Sequence, residues 1–266
     1  MILTDNFVYI HEPKTGGTFV TRALLRAHDV ELTRWTHLIT ILRKQVPYRT
    51  KYGTIIIDGN KHGTCGEIPE THRGKLVLAS VRNPYDLYVS QYEFGWWKRR
   101  EFGKYYAAVH DFERRFPRFP ELSFAEYVTL NNEAFRSFTP AEKNDEDAFG
   151  WQTEQFFKYY FRNPPQAYTR AQADEDYITS DEYHADLFDV HFIRTDDLNC
   201  GLHEFLSRMN YETDDIEFVL STGKILPQGK GRTSEQKWER YYTPELKRDI
   251  RHKERLIFKL FPSFDV

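Results

Sequence analysis

Apolar runs too short for helices alternate along this chain with stretches whose apolar residues recur every three or four positions. Phe7 to Ile10 is the first such run. A glycine-containing loop follows, and beyond it Phe19, Val20, Ala23, Leu24 and Leu25 fall at helical spacing, so the segment predicts strand, loop and helix. Thr54 to Ile57 is a second run and ends in Asp58-Gly59-Asn60. Leu76 to Val81 is a third and ends at Arg82-Asn83-Pro84, where Pro84 suits the first turn of a helix. Val190 to Ile193 is the fourth and leads into a helical pattern from Leu198 to Met209. A last helical pattern, rich in Lys and Arg, runs from Pro244 to Phe261. Strands that alternate with helices predict an α/β fold with a central parallel sheet covered by helices on both faces.

The long stretch between the third and fourth runs has little strand character and carries Tyr92, Phe94, Trp96, Trp97, Tyr105, Tyr106, Phe112, Phe116, Phe124, Tyr127, Trp151, Phe156, Phe157, Tyr159 and Tyr160. It reads as a helical, aromatic-rich insertion whose rings pack the helices onto the sheet and onto each other. Some of these rings suit an acceptor cleft, since sugar faces stack on aromatics.

The length suits one large domain over residues 1–266. A formal charge of −3 argues against a nucleic-acid coat, so any anion site must be local. The N-terminal MILTDNFVYI has no basic segment ahead of an apolar stretch, and no run approaches a membrane span, so the expectation is a soluble, cytoplasmic protein. Cys65 and Cys200 are the only cysteines and lack metal-ligand spacing, which predicts reduced thiols and no metal site. The basic group Lys98, Arg99, Arg100, Lys104, Arg114, Arg115 and Arg118 reads as a solvated helix face before it reads as a polyanion site.

The sharpest chemical signal is Pro13-Lys14-Thr15-Gly16-Gly17-Thr18 between the first strand and the first helix. Glycines there let the backbone turn and aim N–H groups at an anion, and the helix N-terminus adds about half a positive charge. Lys14 can neutralise charge on a leaving phosphate oxygen, and the Thr15 and Thr18 hydroxyls can donate hydrogen bonds. The loop is not a Walker A sequence, because Lys14 precedes the glycine pair. Arg82 and Ser90, around the third strand end and the helix after it, suit a second phosphate. His62, in the loop just past the second strand, suits a general base, since imidazole titrates near neutrality. Lys61 beside it suits donor or acceptor contact, though an exposed lysine is the commoner state.

On these residues the chain resembles carbohydrate-type sulfotransferases that use 3′-phosphoadenosine 5′-phosphosulfate. HEPKTGGT is similar to their 5′-phosphosulfate loop and VRNPYDLYVSQY to their 3′-phosphate motif, with weaker likeness through FPELSFAEYV, FIRTDDL and KGRTSEQKWERYYTPELKRDI. The resemblance implies a P-loop-like three-layer α/β sandwich with the donor across the strand ends. It places Lys14, Thr15, Gly16, Gly17 and Thr18 on the 5′-phosphosulfate and Arg82 and Ser90 on the 3′-phosphate. Lys230, Gly231 and Arg232 stand where distant relatives close a basic loop on the nucleotide; an exposed basic turn is the competing reading. His62 stands where several relatives keep a histidine base and others a glutamate, so Glu67 is the reserve and His37 a weaker choice. Leu87 departs from the basic residue many relatives have after the motif's Asp. The implied reaction moves a sulfuryl group to an acceptor hydroxyl, in a carbohydrate or other hydroxylated metabolite, leaves adenosine 3′,5′-bisphosphate, and uses no metal. A P-loop kinase or NTPase, which needs Mg²⁺ held by a loop Ser/Thr and a Walker-B acid, and an inactive nucleotide-binding module are the alternatives.

Overall fold

The computed structural model describes residues 1–32, 42, 45–99, 103–106, 109–138, 147–223, 225 and 232–266. His37, Lys230 and Gly231 therefore lie outside the described residues. The chain divides into two compact units, Met1–Arg82 with Leu187–Gly231, and Asn83–Asp186 with Arg232–Val266. Among the described residues no helix is long and apolar enough to cross a membrane.

The first unit is built on six strands: β1 (Ile2–Thr4), β2 (Phe7–Ile10), β3 (Val46–Thr50), β4 (Gly53–Ile57), β5 (Leu76–Val81) and β6 (Val190–Arg194), in the order β3-β4-β1-β2-β5-β6. All four sequence-predicted runs are strands. The sheet is mixed, which corrects the parallel sheet expected from the sequence. β2 pairs with β5, and β5 with β6, in parallel; β1 pairs antiparallel with both β2 and β4, and β3 with β4. The two strands responsible give little pattern. β1 is three residues long, and β3, Val-Pro-Tyr-Arg-Thr, is a half-exposed edge strand in which Pro47 sits where an edge tolerates a missing donor. Two successive antiparallel pairings, β2 to β1 and β1 to β4, restore the original direction. β4 thus runs with β2, β5 and β6, and Ile10, Ile57, Val81 and Arg194 all end at one edge of the sheet.

The central strands are buried on both faces, which is why they read as unbroken apolar runs. On one face Phe7, Tyr9 and Leu78 pack with Val20 and Leu24 of the helix Gly17–Ala27 and with Leu202, Phe205 and Leu206 of the helix Leu198–Arg208. On the other, Leu3, Val8, Ile10 and Ala79 are equally inaccessible.

The second unit is helical. Its helices include Pro84–Phe94, Phe124–Ala134, Trp151–Tyr160, Pro164–Ala173, Pro244–Lys253 and Arg255–Leu260. Pro244 to Phe261 is therefore two helices, broken at Glu254, where φ is −101° and ψ 23°. The aromatic residues pack on each other, as in Tyr92 stacked on Trp97 and Trp151 on Phe135. Arg114, Arg115 and Arg118 pair with Asp111, Glu133 and Glu126, so these three basic residues are neutralised locally.

Glu254 is wholly buried and its carboxylate joins three helices. It accepts the Thr153 N–H at 2.6 Å and the Gln152 N–H at 3.4 Å, at a helix N-terminus that favours negative charge, and the Tyr88 hydroxyl at 2.5 Å. Burial outweighs these bonds and pushes its pKa above the ordinary 4.5. Glu254→Ala leaves buried donors without an acceptor and should cost about 3 kcal/mol or more, whereas Glu254→Gln, which keeps an acceptor oxygen, should cost less. Because the folded state holds a proton that the unfolded chain has released, Glu254's contribution is complete below pH 4.5 and declines as pH rises through its raised pKa. Denaturant unfolding of the wild type and Glu254→Gln across that range checks both statements; the same pH slope in both would refute the second.

Candidate functional site

The site begins where β2 ends. His11 and Glu12 continue inward as buried residues, and the chain then turns through Pro13, Lys14, Thr15 and Gly16 into the helix Gly17–Ala27. Two left-handed residues make the turn, Lys14 at φ 70° and Gly16 at φ 91°. Lys14 adopts a conformation that a side chain disfavours, so its geometry is imposed by its surroundings. Gly16 stands at the N-cap, where no side chain caps the first turn of the helix. Gly17 is required for a different reason: a Cβ there would lie 2.1 Å from Cδ2 of the His11 ring.

The loop is anchored from within the sheet. Thr15 is buried, and its hydroxyl donates to the Glu12 carbonyl at 2.9 Å. Its oxygen then accepts from the Ser80 hydroxyl on β5 at 3.0 Å, and Ser80 accepts from the Tyr9 hydroxyl at 3.3 Å. Each hydroxyl has one proton, so the donor order Tyr9, Ser80, Thr15, Glu12 carbonyl is the arrangement that satisfies all three. The Thr195 hydroxyl, just past β6, lies 3.0 Å from the Thr15 carbonyl and 2.9 Å from the Val81 carbonyl, and its one proton is shared between them. The Thr15 hydroxyl is thus engaged inside the fold and holds the turn, while Thr18 is half-buried in the first helical turn.

Arg82 follows β5 at the same sheet edge, and its Nη1 donates to the Lys14 carbonyl at 2.9 Å. The guanidinium thus touches the turn that carries Lys14. Ser90 and Arg232 belong to the other unit. Ser90 is buried on the helix Pro84–Phe94, and Arg232 is ion-paired with Asp86 of that helix. Leu87 on the same helix is a core residue.

His62 lies in the loop after β4. Its Nδ1 is 2.9 Å from the His11 carbonyl. A carbonyl only accepts, so Nδ1 carries the proton and Nε2 keeps the lone pair, the tautomer a base acting through Nε2 requires. His62 is an exposed residue, and its ring meets the His11 ring edge-to-face, with centroids 4.9 Å apart. Desolvation, with Lys61 and the Met1 amino group adding like charge, lowers its pKa below the ordinary 6.5, against the hydrogen bond to the carbonyl, which raises it. Glu67 is exposed, and both its oxygens are engaged, Oε2 by the Thr64 N–H at 2.8 Å and Oε1 by the Asn60 amide at 3.2 Å. It braces the loop that carries His62.

Lys14, Thr15, Gly16, Gly17, Thr18, Arg82, His62 and Glu67 all belong to the first unit, where Arg82 contacts the Lys14 carbonyl and His62 contacts His11. Sequence reading missed His11, Ser80 and Thr195. Their signal was a polar residue inside or just past an apolar strand, where burial forces a polar group to find a partner. Compared against protein-family models, curated proteins and solved structures, the chain matches none.

Ser80→Ala removes the acceptor of a fully buried Tyr9 phenol and one partner of Thr15. It should cost about 1–3 kcal/mol in denaturant unfolding. Wild-type stability would show that the hydroxyl chain does not anchor the loop.

Proposed function

We propose that the chain is a sulfotransferase that moves the sulfuryl group of 3′-phosphoadenosine 5′-phosphosulfate onto a hydroxyl of a carbohydrate or other hydroxylated metabolite. The observation that carries this reading is the junction of two functions at one turn. The strained Lys14–Gly16 cradle opens a helix with no side-chain cap, and His11, at the start of the same turn, fixes His62 in the tautomer of a base. The motif resemblance described above supports it, and supports a P-loop-like fold.

In this reading the acceptor oxygen attacks sulfur in line, its proton passes to His62 Nε2, and the sulfur–oxygen bond to the phosphate breaks. The electron pair stays on the phosphate oxygen, and adenosine 3′,5′-bisphosphate leaves. An alcohol is a poor nucleophile at neutral pH, and a positioned base contributes about a hundred- to ten-thousandfold. Lys14 and the helix N-terminus offset the charge that grows on the bridging oxygen. The motif resemblance, not the structure, assigns the 3′-phosphate to Arg82 and Ser90 and a basic loop at the nucleotide to Lys230, Gly231 and Arg232. The donor's charge is met by these groups, so the proposal includes no metal.

Radiolabelled donor incubated with a panel of polysaccharides, glycolipids and small hydroxylated metabolites should yield a labelled product. Activity should survive EDTA; loss in EDTA with recovery on Mg²⁺ would favour a nucleotide kinase or NTPase. Binding of adenosine 3′,5′-bisphosphate without any product would mark an inactive module.

Lys14→Ala should abolish transfer, and His62→Ala should abolish turnover while nucleotide affinity, measured by calorimetry, is retained. Arg82→Ala should lower both affinity and rate, because Arg82 also holds the Lys14 carbonyl. His62 must be neutral to accept a proton, so turnover should fall as pH drops through its pKa, at a pH below the ordinary 6.5. Unchanged turnover in His62→Ala would remove it from the mechanism.

A further inference from the structure

We propose that His11 is the positioning residue for His62: its carbonyl fixes the tautomer of His62, and its imidazole, wedged between Gly17 and the His62 ring, sets the base against the anion loop. This rests on the reading of His62 as the base.

Three contacts carry the inference. The His62 Nδ1–H donates to the His11 carbonyl at 2.9 Å, which holds the ring at one nitrogen and leaves rotation about that bond to be blocked by something else. The His11 ring blocks it by edge-to-face contact, with centroids 4.9 Å apart and planes at 77°. Its other side occupies the volume a Cβ of residue 17 would need, 2.1 Å from Cδ2 and 2.2 Å from Nε2. Residue 17 is glycine where this ring descends onto the helix start, so the base and the cradle are referenced to one buried side chain.

His11 is itself unsuited to proton transfer. It is 5% exposed, its Nδ1 has no hydrogen-bond partner among the described residues, and burial, Lys61 and His62 together hold its pKa down at about 2. The ring stays neutral whenever His62 titrates and adds no charge to the site. With Nδ1 unpartnered, the ring is held by packing, so a phenyl ring can take its place.

The cationic groups around His62 are Lys61 and the Met1 amino group. Both are retained on substitution at position 11. Burial lowers the Met1 amino group to about 6, so it titrates in the same range as His62 and is followed beside it when a change in His62 titration is assigned to lost packing and desolvation.

The test uses ¹⁵N–¹H NMR of the histidine rings in the ligand-free full chain, which needs no assumption about the reaction. In the wild type, His62 should titrate below 6.5 with the proton on Nδ1. In His11→Ala, the opened space should let the ring rotate, give mixed tautomers and move its pKa up toward the ordinary value. His11→Phe should keep the wild-type spectrum. If sulfate transfer is established, His11→Ala should lower kcat about tenfold or more, as misplacement of a catalytic group does. Affinity for adenosine 3′,5′-bisphosphate should hold, and the acid limb of the pH profile should move upward. A proton on Nε2 in the wild type, an unchanged His62 spectrum in His11→Ala, or loss of the signature in folded His11→Phe would each overturn the proposal. Should no variant, nor the wild type, transfer sulfate, the function assigned to the site fails, and the spectra still decide whether His11 positions His62.

Discussion

The glycine loop of the candidate site hangs from a buried chain of hydroxyl protons. Tyr9 on β2, Ser80 on β5 and Thr15 in the loop each have one proton to donate, and the chain ends on the Glu12 carbonyl. In a water-excluded interior a hydroxyl without a partner is expensive, so these groups admit one arrangement. That arrangement draws Thr15 down into the sheet. On either side of Thr15, Lys14 and Gly16 take left-handed conformations.

Much of this architecture is legible from the sequence, and what is not has a physical reason. Strands buried on both faces, such as β2 and β5, show as apolar runs, and the helix after the glycine loop shows as apolar residues at helical spacing. β1 and β3 escape because three residues carry no period and an edge strand has little to bury. Their omission turns a mixed sheet into an apparently parallel one, yet the edge that gathers the site survives the error, since two reversals of direction return β4 to the heading of β2. The cradle is legible because glycine and lysine between a strand and a helix have few uses there. Ser80, Thr195 and His11 are not, because a single polar residue has no periodicity; only its partner, distant in sequence, reveals what it does. Thr15 shows the complementary limit, since residue type marks a hydroxyl as a donor without telling whether it faces solvent or sheet.

The electrostatics are local in the same sense. The net charge is −3, and Arg114, Arg115 and Arg118 are each matched by a neighbouring carboxylate. In the proposed reading, attraction of an anion depends on the few groups at one turn and not on the charge of the whole chain. The contact of Arg82 with the Lys14 carbonyl makes the two cationic residues part of one framework, so a shift at one is felt by the backbone of the other.

The parallel pairing of β5 with β6 has a consequence in time. Val77 and Val190 are partners, yet more than a hundred residues of chain separate them. Closing so long a loop is entropically costly, and β6 is the last strand of the sheet to leave the ribosome. Until it docks, β5 is an open edge, and Thr195, which draws the Thr15 and Val81 carbonyls together, is absent from the cradle. A nascent chain can hold the glycine loop and its lysine long before it holds them in place. The turn is completed at the end of folding, and a truncated product carrying the whole motif would lack the Thr195 contacts.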